Sequence, residues 1–353
     1  MNNNILHIFV DEKFVFEFIE KIDCRFDNQV YYVWSKSEKT HNNFPQIKNI
    51  YFSSSKNMIG SIKELLTLAK NSDKIIFHSL IYPAPLLITA SYLAKKNRNK
   101  TMWVEWGADL FDHYWERNNS LSTKIREIFR RKFIKNVYSV GCLEQELPII
   151  KEYYDVSPKF YLAPYFFYFP DINLSVEKHD YYNVLIGNSA NPTCCHKDAI
   201  DFLSKYMNNK YYCILSYPKD NMEYINSVIE YGNSKIGSNF VPITDFMTNE
   251  EYSKFLSTID LAVLNNNRQQ GWGNIISLLY YGKTLYINPE NILLDYFTKE
   301  GAIIYSTKEL ESGNMKLLNN EEIDNNIRVA KKLLSEDYIY DCWNRIFTDK
   351  WEK

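Results

Sequence analysis

The chain has 353 residues, 45% of them hydrophobic and 24% charged, and its 41 Lys and Arg against 43 Asp and Glu leave a formal charge of −2. That length suits two domains with a core each, and the near-neutral balance excludes a wholesale nucleic-acid binder. No apolar run is long enough to span a bilayer, the opening MNNNILHIFVDEKF lacks the basic n-region of a signal peptide, and the six cysteines include no C-x-x-C pair that would suggest a disulfide framework or structural zinc, so a cytoplasmic protein is expected.

In chain order, Ile5–Val10, Gln29–Trp34, Ile47–Phe52, Lys74–His78, Met102–Trp106 and Tyr138–Cys142 read as strands, and Ile62–Lys70, Pro85–Lys95 and Leu121–Lys135 as helices. Leu162–Tyr181 then breaks the pattern with Pro164, Pro170 and the polar run Asp171–Asp180, marking a boundary. The rings crowded into Tyr161–Pro170 are too many for an exposed linker; they predict packing between domains, or alternatively one wall of a ligand cleft. The alternation restarts with strands at Asn183–Gly187, Tyr211–Ser216, Phe240–Pro242, Ile259–Leu264, Thr284–Ile287 and Ala302–Tyr305. Such alternation predicts an α/β fold of two Rossmann-like domains, their parallel sheets facing a central cleft. The first domain is expected over 1–165, the second over 166–335, and a C-terminal helix at 336–353 packing back on the first. Charge divides the same way: 23 Lys and Arg against 18 Asp and Glu up to residue 165, and 18 against 25 beyond it.

Four places carry chemistry. Gly187, Asn188 and Ser189 follow a strand and lead to a helix near His196, where free backbone N–H groups at a positive dipole end make an anion site or an ordinary capped turn. Asn265–Asn266–Asn267 and Arg268–Gln269–Gln270–Gly271–Trp272–Gly273–Asn274 stand between an apolar strand and the apolar helix Ile275–Tyr281. Neither neighbour needs that polar knot for its core, and a guanidinium fork beside two glycines suits a diphosphate. Glu105 and Asp109 flank Trp106 and Gly107 at a strand end, as a catalytic base or hydroxyl-binding acid would, or as a helix cap and a surface acid. His78 closes a neighbouring strand and reads more readily as structural. The last is Lys124–Lys135, with six basic residues against Glu127. It reads as a solvated helix face or a contact with anionic lipid headgroups, made through Ile125, Phe129 and Phe133 and through Arg126, Arg130 and Arg131, which cannot all face a core. Lys95, Lys96, Arg98 and Lys100 thicken this patch. No phosphate-binding, dinucleotide, zinc-protease or hydrolase motif is present, nor a D-x-D, and Cys194–Cys195–His196 reads as a helix start. No cofactor and no metal site are expected.

Trp106–Leu110 (WGADL), Gly187–Ser189 followed by His196, the Tyr217–Ile225 stretch, Arg268–Gly273 (RQQG-x-G) and Asn288–Asn291 (N-x-E-N) occur in this order. In this the chain resembles the bacterial TDP-4-acetamido-4,6-dideoxygalactose (Fuc4NAc) transferases of enterobacterial common antigen synthesis, labelled 4-alpha-L-fucosyltransferase. The resemblance is clear over residues 75–300. It implies a GT-B architecture, a dTDP-sugar donor, a polyprenyl-diphosphate-linked glycan acceptor and a cytoplasmic enzyme held peripherally on the inner membrane. It also implies that Gly187, Asn188, Ser189, Arg268, Gln269, Gln270 and Gly273 surround the donor diphosphate, with Gly271 and Asn274 completing the same turn. Asn274 stands where those transferases carry Thr, and Trp272 where they carry an aliphatic residue. With no metal motif, Arg268 and helix N-termini are left to neutralise the leaving group; Asp109 or Glu105 is the base if the anomeric carbon inverts, and none is required if it retains. A nucleotide-sugar 2-epimerase and a non-catalytic sugar-binding protein share the expected fold and stand as alternatives.

Overall fold

The fold rests on short, apolar, β-branched and aromatic segments, which parallel sheets covered on both faces require. In the computed structural model residues 4–12, 14–35, 47–53, 57–111, 121–170, 180–206, 208–219 and 221–351 are described, so most of the polar run from Asp171 lies outside the described residues. The chain divides into two compact units, Met1–Phe166 with Glu336–Lys353, and Phe167–Ser335.

The strands of the first unit are β1 (Ile5–Val10), β2 (Gln29–Trp34), β3 (Ile50–Phe52), β4 (Lys74–His78), β5 (Thr101–Val104), β6 (Ser139–Gly141) and β7 (Lys159–Tyr161), all parallel in the order β3-β2-β1-β4-β5-β6-β7. Strand β7 has no counterpart in the sequence reading, because Lys159–Tyr161 is too short and too exposed to show a period. One sheet face is closed by Ala84–Lys96 and Leu121–Ile134 among others, through Leu86, Leu87, Ala90, Phe133 and Ile134. The other face is closed by Val15–Arg25 and by the C-terminal helix Glu336–Thr348, whose Trp343 is fully buried and donates through Nε1 to Pro164 O at 2.7 Å. Lys74 caps that last helix by donating to the carbonyls of Ile346, Phe347 and Asp349 at 2.7–2.8 Å, and burial lowers its pKa to about 8.

Within Leu121–Ile134 the structure corrects two expectations. Phe133 is fully buried and Phe129 packs on the core, so neither is free to contact lipid. Two of the three arginines turn inward or along the surface: Arg130 is 3% exposed and donates to Asp109 O at 3.3 Å, and Arg131 donates to Tyr153 O at 2.8 Å and pairs with Glu127.

The second unit contains β8 (Asn183–Ile186), β9 (Lys210–Ile214), β10 (Phe240–Ile243), β11 (Leu261–Leu264), β12 (Thr284–Ile287) and β13 (Tyr305–Ser306), parallel in the order β10-β9-β8-β11-β12-β13. Both sheets therefore grow outward from their first strand, and then the chain crosses to the other side of that strand. This leaves a switch point between β1 and β4 and another between β8 and β11, where neighbouring loops diverge and leave room for a ligand. The rings of Tyr161–Pro170 are divided between the units. Tyr165 and Phe166 pack in the first, while Phe167 meets Trp272 and Phe169 meets Tyr280 and Tyr281 in the second.

Candidate functional site

Leu261–Val263 of β11 pairs with Val184–Ile186 of β8, so the loops leaving the two carboxyl ends start side by side. They interlock through side chains. Asn266 Nδ2 donates to Asn188 Oδ1 at 3.0 Å, and Gln270 Nε2 donates to Ser189 Oγ at 2.8 Å. The Thr193 hydroxyl donates back to Gln270 Oε1 at 2.6 Å, and Asn267 N donates to Thr193 O at 3.1 Å. Asn265 is anchored from behind by Asn288 Nδ2 at 3.1 Å and Thr307 Oγ1 at 3.2 Å. The two polar motifs noted separately in the sequence thus form one structure.

Glycine is required at two positions here. Gly187 has φ +68°, and a Cβ there would lie 2.5 Å from His196 Nε2; Gly271 has φ +87°, and its Cβ would press on the Asn188 side chain at 3.3 Å. Gly271 is also the N-cap of the helix Trp272–Tyr280, whose first-turn N–H groups on Trp272, Gly273 and Asn274 have no acceptor within the helix. At Gly273 a Cβ would meet only Phe167, at 4.0 Å, so glycine there leaves the space over the helix terminus open. Trp272 is held between Phe167 and Phe297 at ring distances of 5.2 and 6.0 Å, which explains an indole between two glycines. Asn274 accepts from Tyr252 Oη at 2.6 Å.

Arg268 is half-buried in this loop, with one Nη donating to Gln269 O at 2.9 Å. No acid occurs in Gly187–Ser189 or Asn265–Asn274 themselves, so within the two loops the guanidinium and the helix terminus are the positive groups, while the acids Asp198 and Glu290 line an adjoining depression. His196 adds no charge: burial lowers its pKa to about 4, and Nδ1 lies 2.9 Å from Tyr224 Oη. Next to this cradle, at the ends of β11–β13, that depression of about 430 Å³ has Asn265 and Asn288 in its lining together with four acids, Asp198, Asp201, Glu290 and Glu311, against Lys308. Thr193 and Tyr252 escaped the sequence reading; the N-P-T turn at Asn191–Thr193 was the available signal for the first, and Tyr252 left none.

At the carboxyl edge of β4–β6 in the first unit, the acids do other work than expected. Asp109 is fully buried; Oδ2 accepts from Leu80 N and Trp103 Nε1, both at 2.8 Å, and Oδ1 accepts from Trp106 N at 2.8 Å. Three donors on one carboxylate tie the loop after β4 to the loop after β5. Glu105 accepts from Gly107 N, and burial next to Glu146 raises its pKa well above the carboxylate range. Glu146, which accepts from Leu143 N at 2.6 Å, is itself raised by burial to about 7. Both carboxyls are pushed upward because charging the pair without water is costly. Asp109 and Glu105 therefore hold this edge in shape, with both Asp109 oxygens already accepting from donors, and a role as base would come on top of that structural one. Glu146 was missed, since nothing in its local sequence marks it.

His78 is structural too. Trp106 Nε1 donates to Tyr165 Oη at 2.8 Å; Tyr165 meets His78 Nδ1; His78 Nε2 lies 2.9 Å from His7 Nδ1; and His7 Nε2 lies 2.9 Å from Gln29 Oε1. One direction of donation satisfies every link, from Trp106 to Gln29, with both histidines neutral, as their burial-lowered pKa values require.

Among the described residues no cluster of His, Cys, Asp and Glu is arranged to hold a metal ion, and no helix is long and apolar enough to cross a membrane. The family model described as 4-alpha-L-fucosyltransferase, glycosyl transferase group 56, matches residues 1–343. Among solved structures, HepE from Anabaena in complex with UDP and glucose is similar at a TM-score of 0.65 and 12% identity, covering 97% of this chain and 99% of that one. Sucrose-phosphate synthase from Thermosynechococcus elongatus is similar at 0.63 and 8%, covering 98% of each chain. The OtsA apo structure is similar at 0.63 and 11%, covering 98% of this chain and 99% of that one. The chain belongs to the group 56 4-alpha-L-fucosyltransferase family and is a glycosyltransferase of the two-domain, Rossmann-like GT-B fold. This sets aside the epimerase and the non-catalytic binding protein.

Proposed function

We propose that this group 56 glycosyltransferase moves a 4-acetamido-4,6-dideoxyhexose of the Fuc4NAc type from a dTDP-sugar to a polyprenyl-diphosphate-linked glycan, working peripherally on the cytoplasmic side of the inner membrane. The observation that carries the donor half is the interlock of Gly187–Ser189 with Asn265–Asn274 at the β8/β11 switch point, a cradle whose two loops hold Arg268 and no acid and which ends on an open helix N-terminus. In the transfer the bond from the anomeric carbon to the diphosphate oxygen breaks, a bond to the acceptor hydroxyl oxygen forms, and that hydroxyl's proton is released with the departing dTDP. Charge builds on the departing diphosphate. Arg268 is the group that neutralises it, with the N–H groups of Trp272, Gly273 and Asn274 and the side chains of Asn188, Ser189, Gln269 and Gln270 fixing its oxygens. Gly187, Gly271 and Gly273 keep the backbone close and the space open. The adjoining depression, with Glu290 and Asn288 in its lining, suits the 3′-hydroxyl of a deoxynucleoside.

Because Arg268 and a helix terminus can carry this charge stabilisation, no divalent ion is needed for it. Purified protein given a panel of dTDP- and UDP-sugars and a lipid-diphosphate glycan tests the reading, with and without EDTA. Transfer confined to UDP-sugars would overturn the donor assignment. Activity abolished by EDTA and restored by magnesium or manganese would overturn the metal-free one.

A further inference from the structure

We propose that the outer face of the helix pair Ala84–Lys96 and Leu121–Ile134 is the surface that docks on an anionic lipid bilayer, with its apolar end entering the interfacial layer and its basic end resting among the headgroups. This deepens the peripheral-membrane part of the reading above and rests on that part alone, not on the choice of sugar. The two helices pack on each other, and Lys95 and Lys96 line the same groove as Ile134 and Lys135, so their carboxyl ends lie together and the helices run side by side in one direction.

Each helix leaves one stripe uncovered. On the first it runs Pro85, Ile88, Tyr92 and then Lys95 and Lys96; on the second it runs Leu121, Ile125, Ile128 and then Lys132 and Lys135. Steps of three and four residues keep each stripe on one face. The apolar members are open to solvent, Ile88 at 43%, Tyr92 at 54%, Ile125 at 36% and Ile128 at 51%. The core has no use for them, since Leu86, Leu87, Ala90, Leu93, Phe133 and Ile134 form the inward faces. The two stripes thus change from mainly apolar, with exposed Lys124 beside Leu121 and Ile128, to basic in the same direction and form one zoned surface.

The zoning matches a membrane interface. Ala84–Lys96 follows the carboxyl end of β4 and leads to the amino end of β5, so the apolar zone adjoins the carboxyl edge of the sheet and the basic zone its amino edge. At the basic end a groove of about 640 Å³ gathers Lys95, Lys96, Arg98 and Lys135 against the single acid Asp155. One lysine per helix would satisfy the carboxyl-terminal dipoles. Four cations around a groove go beyond that and suit phosphate headgroups. A soluble polyanion would explain the groove but not the four exposed apolar side chains beside it. Docked this way, the carboxyl edge of the first sheet faces the bilayer, where a lipid-borne acceptor lies.

The test is co-sedimentation of the full chain with vesicles of phosphatidylethanolamine and phosphatidylglycerol, and with phosphatidylcholine alone, at low and high salt. Wild type should bind the anionic vesicles, and the bound fraction should fall but not vanish at high salt. Reversing Lys95, Lys96, Lys132 and Lys135 to Glu should lower the partition coefficient at least about tenfold, with the four Lys→Gln changes as a milder version if the reversal perturbs folding. Ile88→Ser, Ile125→Ser and Ile128→Ser together should abolish the salt-resistant part and leave the melting temperature unchanged. Equal binding of all three proteins, or no preference of wild type for anionic vesicles, overturns the surface, and heparin capture without vesicle binding reassigns it to soluble polyanions. Donor-sugar hydrolysis is read in parallel. Its loss in wild type would sink the transferase reading and leave the surface standing, whereas intact hydrolysis with unaltered vesicle binding in the variants would do the reverse.

Discussion

Replacing Gly187 by Ala probes the donor cradle at the point where two demands meet. The residue has φ +68°, a left-handed backbone that costs an L-residue roughly 1–2 kcal/mol. Its new Cβ would also stand 2.5 Å from Nε2 and 2.8 Å from Cδ2 of His196, a fully buried ring held by Tyr224. Relieving that overlap in a packed core costs about 1–3 kcal/mol. Together the Gly187→Ala change should destabilise the second unit by about 2–5 kcal/mol and weaken nucleoside diphosphate binding, because the Asn188–Ser189 turn must shift. A double-mutant cycle separates the two parts. His196→Ala removes the clash but leaves the backbone strain, so the pair should be less damaging than the sum by about 1–3 kcal/mol. Urea unfolding measures the stabilities, and calorimetry with dTDP measures binding. Strict additivity, or a loss below about 0.5 kcal/mol for Gly187→Ala, would refute the argument that His196 dictates glycine there.

Arg268→Ala should lower the transfer rate by about 10²–10³-fold, with Arg268→Lys recovering part of it, in steady-state transfer assays; a rate within a few-fold of wild type would remove Arg268 from the leaving-group role. Asp109→Asn turns an amide N–H₂ toward either Trp106 N or the pair Leu80 N and Trp103 Nε1, so thermal unfolding should show a loss of about 1–3 kcal/mol; normal stability with a lost rate would instead favour Asp109 as base. Glu146 is raised from its ordinary value to about 7, so the folded state binds the proton more tightly than the unfolded one and stability declines as pH rises through the window between those values. Glu146→Gln should make that decline shallower in denaturant titrations at several pH values, and an unchanged slope would show that burial does not raise Glu146.

Local pattern was enough to reveal most of the strands and some of the helices, because a buried parallel strand must be apolar on both faces and a surface helix on one. It was enough also to single out Asn265–Asn274, a polar insertion that neither the strand before it nor the helix after it requires. Strand order lay beyond it. That Gly187–Ser189 and Asn265–Asn274 belong to one cradle follows from β11 crossing to the far side of β8, a long-range pairing that no local period encodes. The same limit explains the acids at the first sheet's edge. Glu105 and Asp109 look like cleft carboxylates in the sequence, yet their partners Leu80 and Glu146 come from other loops and carry both acids into the interior. In Lys124–Lys135 the sequence supplied the charge and the apolar residues, but packing against Ala84–Lys96 chose the outward face. It buried Phe133 and Arg130 and left Ile125 and Ile128 exposed, because the helix has to present its best-fitting ridge to a neighbour that lies elsewhere in the chain.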